Sequence, residues 1–297
     1  MKSNPSRPGL ATYFNYQVSI GEAILYFFLT LLIGQIVGGV ISAPTYLMKE
    51  LSHVLLPLSF LLGFGLAALS IMTIKKLRIQ ELKNFFHTKV QVKHIVMAIA
   101  LYFSIMPIAE YLAMIVPTEG YPILEDLYKT FESSFAMIFE YKVAAFIMVV
   151  ILAPILEELI FRGLILRGML NANISPWVAI FLSSFLFGIA HLNPWQFLGA
   201  GMIGLSLGFI YWRTQSLLLV IFLHALNNFI AFVITLKTES LDETIFEPNY
   251  LTLGIAIILS VLIAFFFYKH SQDTALNGID TNDDRQDLES IGEINEH

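Results

Sequence analysis

Ala153-Pro154-Ile155-Leu156-Glu157-Glu158-Leu159-Ile160-Phe161-Arg162-Gly163 sets two adjacent carboxylates and an arginine inside an apolar run that reaches from Val143 to Leu170. A membrane helix holds ionisable groups at a cost of roughly 2.5–3.5 kcal/mol each near its centre, and such groups turn towards a cavity or towards one another. Three of them between Glu157 and Arg162 point to a site rather than to packing. At about 100° per residue, Glu158 and Arg162 form an i,i+4 pair in the favourable acid-first order. Glu157 lies one residue off that face. The spacing assigns Glu158 and Arg162 to a structural ion pair and leaves Glu157 as the free acid. The alternative is that all three stand at a water-exposed helix end.

Of the 297 residues, 57% are hydrophobic and only 13% are charged, values foreign to a soluble domain of this length. The chain reads as an all-α polytopic membrane protein, with about eight transmembrane helices forming a single integral membrane domain over residues 1–270. It contains no cysteine, which excludes a disulfide framework, a thiolate zinc site and a thiol nucleophile. The net charge of −6 gives no sign of a nucleic-acid partner. All of it resides in residues 271–297, where eight Asp/Glu face one Arg, leaving the rest of the chain slightly positive; this segment reads as an acidic, disordered cytoplasmic tail.

Apolar runs occupy about 20–42, 53–74, 95–116, 143–170, 177–191, 195–212, 216–236 and 250–268. Ser19 and Glu22 open the first, and Ser175-Pro176 and Asn193-Pro194 supply the cap-plus-proline signal for the fifth and sixth. Gly34, Gly38 and Gly39, and the stripe Ala200, Gly204 and Gly208, suit close helix packing. Glu110, in the outer part of the third run, is expected to be solvated or locally paired, with a cavity-lining place as the alternative. Between residues 117 and 142, Leu124, Leu127, Tyr128, Phe131, Phe135 and Ile138 recur at three-to-four spacing among charges, which predicts an amphipathic helix along the membrane interface.

Six basic residues (Lys75, Lys76, Arg78, Lys83, Lys89 and Lys93) crowd the connection after the second run. If both termini and this 75–94 loop are cytoplasmic, 13 of the 17 Lys/Arg fall on the cytoplasmic side and the 237–249 loop lies outside. This is the orientation that the positive-inside rule favours.

Two further polar patterns sit in apolar runs. Phe187-Gly188-Ile189-Ala190-His191 ends the fifth, and His224-Ala225-Leu226-Asn227-Asn228 lies within the seventh, where His224 and Asn228 share a face. Each histidine alone reads as a packing residue. Together with Glu157 they are the types needed to hydrolyse a peptide bond: a carboxylate and an imidazole to take a proton from water, and a second imidazole with an amide to meet the oxyanion. The run from Trp177 to His191 is only about 21 Å long as a helix, against a hydrocarbon core of roughly 30 Å. The turn after His191 is therefore expected below the membrane surface, where non-helical backbone needs the cover of protein or of a wet cavity.

In these residues the chain resembles the CPBP intramembrane endopeptidases, the group containing type II CAAX prenyl endopeptidases and bacterial Abi or bacteriocin-immunity proteins. Glu157-Glu158-Leu159-Ile160-Phe161-Arg162 is similar to their EExxxR signature, Phe187 to His191 to their FxxxH motif, and His224 to Asn228 to their HxxxN motif. The likeness covers the motif-bearing core at about 143–236. It implies an intramembrane protease, acting on a protein or peptide substrate in the lipid bilayer, with a catalytic cavity open to the cytosol. It further implies that Glu157 and His191 activate water, that His224 and Asn228 stabilise the oxyanion, and that Glu158, Arg162 and Phe187 support the site. No cofactor is expected. The alternative is zinc held by Glu157, His191 and His224, two imidazoles and a carboxylate with an open position, although these ligands lack the close pairing of a helical HExxH. Two other readings compete: a non-proteolytic immunity or scaffold protein that keeps the fold, and a proton-coupled transporter using Glu157. A transporter calls for related halves with paired broken helices, and the acid–arginine pattern has no second copy.

Overall fold

A computed structural model describes residues 16–78, 90–238, 246 and 249–277. Nine helices form the described chain: α1 Ile20–Ser42, α2 Ser52–Ile74, α3 Val92–Met114, α4 Pro122–Phe139, α5 Lys142–Asn171, α6 Pro176–Ile189, α7 Pro194–Thr214, α8 Leu217–Thr238 and α9 Tyr250–Asn277. No strand occurs among the described residues. The chain is an all-α polytopic membrane protein. Among the described residues, six segments are long and apolar enough to cross a bilayer: α1 and α2 with the short 3₁₀ turns between them, α3, α5, α8 and α9.

The other two expected spans do not meet that standard. α6 has 14 residues, about 20 Å of helix, and α7, although 21 residues long, carries Gln196, Arg213 and a run of small residues. They form a hairpin packed against α3 and α5. The boundary expected at residue 271 falls inside α9, which continues to Asn277; the rest of the tail, like residues 79–89 and most of 239–248, lies outside the described residues.

The start signals act through specific hydrogen bonds. The Ser19 hydroxyl accepts from the Glu22 amide at 3.2 Å while the Glu22 carboxylate accepts from the Ser19 amide at 2.8 Å, the reciprocal arrangement of a capping box. Glu22 also receives Lys75 at 2.5 Å, tying the start of α1 to the end of α2. The Asn193 side chain caps α7 by accepting from the Gln196 amide at 2.8 Å. Ser175 stands at the cap position of α6 with Pro176 behind it, but its hydroxyl makes no capping bond.

α5 is not a uniform α-helix. Its Ala153–Glu158 turn lies between two π-helical stretches, Phe146–Leu152 and Leu159–Leu166. Pro154 has no N–H for the carbonyl four residues back, and its ring crowds that carbonyl; an extra residue in the preceding turn relieves the clash. Every residue from Ile160 to Leu170 is buried, whereas Ile147, Ile151 and Ile155 are each about two-fifths exposed. The bundle is therefore closed towards the Asn171 end of α5 and loose towards the Lys142 end.

Part of the closed end comes from the segment that precedes α1. Tyr16 and Val18 belong to the core. The Val18 amide donates to the Gly168 carbonyl at 2.9 Å, Asn171 donates to the Tyr16 carbonyl at 3.0 Å, and the Tyr16 hydroxyl donates to the Gly163 carbonyl. Trp177, Trp212 and Tyr268 gather at the same end, with the Arg213 guanidinium 4.7 Å and 4.9 Å from the ring centres of Trp212 and Tyr268. Aromatic rings beside a cation suit a membrane–water interface. Among the small residues, Gly34 and Gly63 bring α1 and α2 together, since a Cβ on Gly63 would lie 3.2 Å from the Gly34 Cα. Gly39 faces open space instead.

A Cβ on Gly168 would stand 2.3 Å from Val18 Cγ2 and 2.9 Å from the Tyr16 ring, whereas one on Gly254 would meet nothing within 4 Å. Gly168→Ala should lower stability by about 1–3 kcal/mol through overpacking. Gly254→Ala should be neutral or stabilising by up to about 1 kcal/mol. Unfolding of the two purified variants in detergent, side by side with the parent, checks the contrast.

Candidate active site

Glu157 and Glu158 leave α5 on different sides. The Glu158 side chain is fully buried and its Oε1 accepts from Arg162 Nη1 at 2.7 Å, the i,i+4 pair read from the spacing. The same Oε1 stands 2.9 Å from His224 Nδ1, a contact that the sequence reading lacked. Arg162, also fully buried, gives Nη2 to the Gly204 carbonyl at 3.0 Å and lies 4.6 Å from the centre of the Phe187 ring. Glycine at 204 is what admits it: a Cβ there would lie 3.2 Å from Phe187 and 3.3 Å from Arg162 Nη2.

Glu157 is 14% exposed at its side chain, and that exposure faces a cavity. Its Oε2 is 3.8 Å from His224 Nε2. His224 thus stands between the two carboxylates, one ring nitrogen towards each. Because a carboxylate only accepts, Nδ1 carries the proton given to Glu158, and Nε2 is the nitrogen presented to the cavity.

His191 follows the end of α6, where Leu192 adopts φ 56° and Asn193 donates to the His191 carbonyl at 3.0 Å. Its Nδ1 is 3.0 Å from the Phe187 carbonyl. A carbonyl also only accepts, so Nδ1 is the protonated nitrogen and the Nε2 lone pair is free. The Phe187 ring meets both imidazoles edge to face, His191 at 5.1 Å and His224 at 5.7 Å. The turn after His191 leaves Leu192 61% exposed, and just beyond it Trp195 packs against Tyr128 and Phe131 of α4 and donates Nε1 to the Val116 carbonyl at 3.1 Å.

Asn228 donates Nδ2 to the Val149 carbonyl at 2.9 Å and accepts from Asn227 at 3.2 Å. One Nδ2 hydrogen remains for another acceptor. Val149 lies in the first π-helical stretch of α5, so the widened turn positions the amide.

Glu157, His191, His224 and Asn228 all line one cavity of about 1270 Å³, and Glu158 and Arg162 do not. The division that helical spacing drew between the two glutamates is the division between cavity and wall. Tyr128, Phe131, Phe135 and Ile138 of α4 form part of the lining, which makes the amphipathic helix a wall of the cavity. Glu110 lines it as well and accepts from the Phe246 amide at 3.1 Å, combining the two places open to it. As to zinc, among the described residues no three His, Asp or Glu side chains form a group that could hold a metal ion.

The lining comes from the Ser42 end of α1, the Ser52 end of α2, the Met114 end of α3 and the Thr238 end of α8. The cavity therefore opens away from Lys75, Lys76 and Arg78. The resemblance implied a cytosolic mouth, and the charge asymmetry puts the basic loop in the cytosol. In this structure the two expectations exclude one another.

Residues 139–230 match the family model described as "Type II CAAX prenyl endopeptidase Rce1-like". Over 89 residues the chain is 36% identical to the Bacillus subtilis (strain 168) protein named "Putative membrane peptidase YdiL", covering 30% of this chain and 35% of that protein. It is 39% identical over 89 residues to "UPF0177 protein YaiF" of Lactococcus lactis subsp. lactis (strain IL1403), covering 30% of this chain and 39% of that protein. The matches span little more than a third of each relative. No solved structure matches. The family resemblance read from the three motifs is shown for the stretch that carries them.

Glu158→Gln leaves the Arg162 charge buried without its counter-ion and should cost about 3–5 kcal/mol. Glu157→Gln, at a partly exposed cavity position, should change stability by less than about 1 kcal/mol. Denaturation midpoints of the two variants measure this difference without any assay of activity.

Proposed function

We propose that this chain, whose residues 139–230 match the Rce1-like type II CAAX prenyl endopeptidases, is an intramembrane endopeptidase that cleaves a membrane-associated protein or peptide with water activated by Glu157 and His191. The observation that carries the reading is the convergence of Glu157, His191, His224 and Asn228 on one cavity, with the Glu158–Arg162 pair packed behind its wall.

The chemistry follows from what each group has left to give. Glu157 takes a proton from water as the water oxygen attacks the scissile carbonyl, and the free Nε2 of His191 is the second acceptor that orients this water. The tetrahedral oxyanion meets the remaining Nδ2 hydrogen of Asn228 and Nε2 of His224. With Nδ1–H committed to Glu158, Nε2 of His224 donates to the oxyanion only when the ring carries a second proton, so the cationic ring is the form that acts here. The proton held by Glu157 then passes to the leaving amine as the C–N bond breaks. No step requires a metal.

Cleavage of a membrane-peptide library by the purified protein tests the reading, with Glu157→Gln as control. Cleavage by the parent and its loss in the variant are the expected result; equal product from both would reject the assignment. Asn228→Ala should lower kcat by about 10²–10³ as an oxyanion donor is removed. Activity should survive treatment with a chelator. Stoichiometric zinc, with activity lost on its removal and restored by zinc alone, would make Glu157 a ligand instead.

A further inference from the structure

The two ends of the bundle differ in packing and in charge. At the end bearing Lys75, α5 is sealed from Ile160 to Leu170, and the Tyr16–Val18 segment closes over Gly163 and Gly168. At the other end the helices part around the cavity. Gly39 faces open space there, Tyr46 is 79% exposed, and α4 contributes no fully buried residue.

The charges divide along the same axis. In sequence, the connections at the open end (43–53, 115–142 and 237–249) hold ten Asp/Glu and four Lys, while the 75–94 connection at the sealed end holds six Lys/Arg and one Glu. Cytoplasmic connections carry the lysine and arginine excess. The sealed end is then cytoplasmic, and the open end faces the outside.

We propose that the cavity is loaded from the extracytoplasmic side, and that its substrates are peptide segments presented at the outer face of the membrane. This rests on the proteolytic reading of the same site. The lining defines the segment further. Phe131, Phe135, Phe139 and Phe232 form a continuous aromatic wall, with ring centres 4.8 to 6.1 Å apart, which suits an extended chain rich in apolar side chains. Among the described residues no lysine or arginine lines the cavity, and the acidic excess that the sequence gives the open-end connections repels acidic segments over about a Debye length, roughly 10 Å at 0.1 M salt.

The absence of native cysteine makes the test direct. Gly39→Cys and Thr235→Cys place single thiols in the cavity lining, and Lys93→Cys places one at the sealed end. In sealed right-side-out vesicles, a membrane-impermeant maleimide should modify the first two, and Lys93→Cys only after permeabilisation. The reverse pattern would overturn the proposal. The second readout adds an apolar reporter peptide to right-side-out or inside-out vesicles of the cysteine-free parent and of Glu157→Gln. Glu157-dependent cleavage confined to right-side-out vesicles supports the proposal. Cleavage confined to inside-out vesicles would overturn it while leaving the protease reading intact. External labelling without Glu157-dependent cleavage in either orientation would reject the protease reading, and with it the substrate class.

Discussion

One carboxylate oxygen organises the site. Oε1 of Glu158 accepts from Arg162 at 2.7 Å and stands 2.9 Å from His224 Nδ1, and through these two partners α5 is joined to α7 at the Gly204 carbonyl and to α8 at His224. A charge this deeply buried needs partners, because desolvation costs several kcal/mol per ion; Oε1 has two, while Oε2 and Arg162 Nε have none among the described residues. The geometry turns that necessity into orientation. Held at Nδ1, His224 can present only Nε2 to Glu157 and to the cavity, so the carboxylate that never meets solvent decides what the neighbouring carboxylate works beside.

The irregular helix is the second constraint. Where α5 widens into π-helix, its backbone carbonyls become targets for side chains of other elements: Val149 receives Asn228, Phe161 receives Ser183 at 2.9 Å, and Gly163 receives Tyr16. A carbonyl oxygen has two lone pairs and can take a side-chain donor beside its helical one, and these three bonds fix α8, α6 and the amino-terminal segment against α5. The same backbone feature thus positions the amide assigned to the oxyanion and closes the end of the bundle beyond it.

Much of this was legible in the sequence because helical periodicity is local. The separation of Glu157 from Glu158, the shared face of His224 and Asn228, the capping box at Ser19 and the aromatic face of α4 all follow from spacing within one helix. What escaped depends on contacts between distant segments. No spacing rule connects His224 to Glu158 or Tyr16 to Gly163. The count of eight spans is not confirmed for a related reason, since α6 is only 14 residues long and α7 is interrupted by polar and small residues, so the two pack as a hairpin that apolar length alone does not reveal. The direction of the mouth could not be read from composition at all; it emerges from which halves of the helices part. The family likeness supplied the roles of the motif residues and an access side that the charge asymmetry opposes.

The shared carboxylate is the claim on which the rest depends, and a double-mutant cycle on stability between Glu158→Gln and His224→Gln measures it directly. A hydrogen-bonded buried pair should show a coupling energy of about 0.5–3 kcal/mol. Effects that add to within about 0.3 kcal/mol would contradict it, for then Glu158 would serve Arg162 alone and His224 would take its orientation from elsewhere.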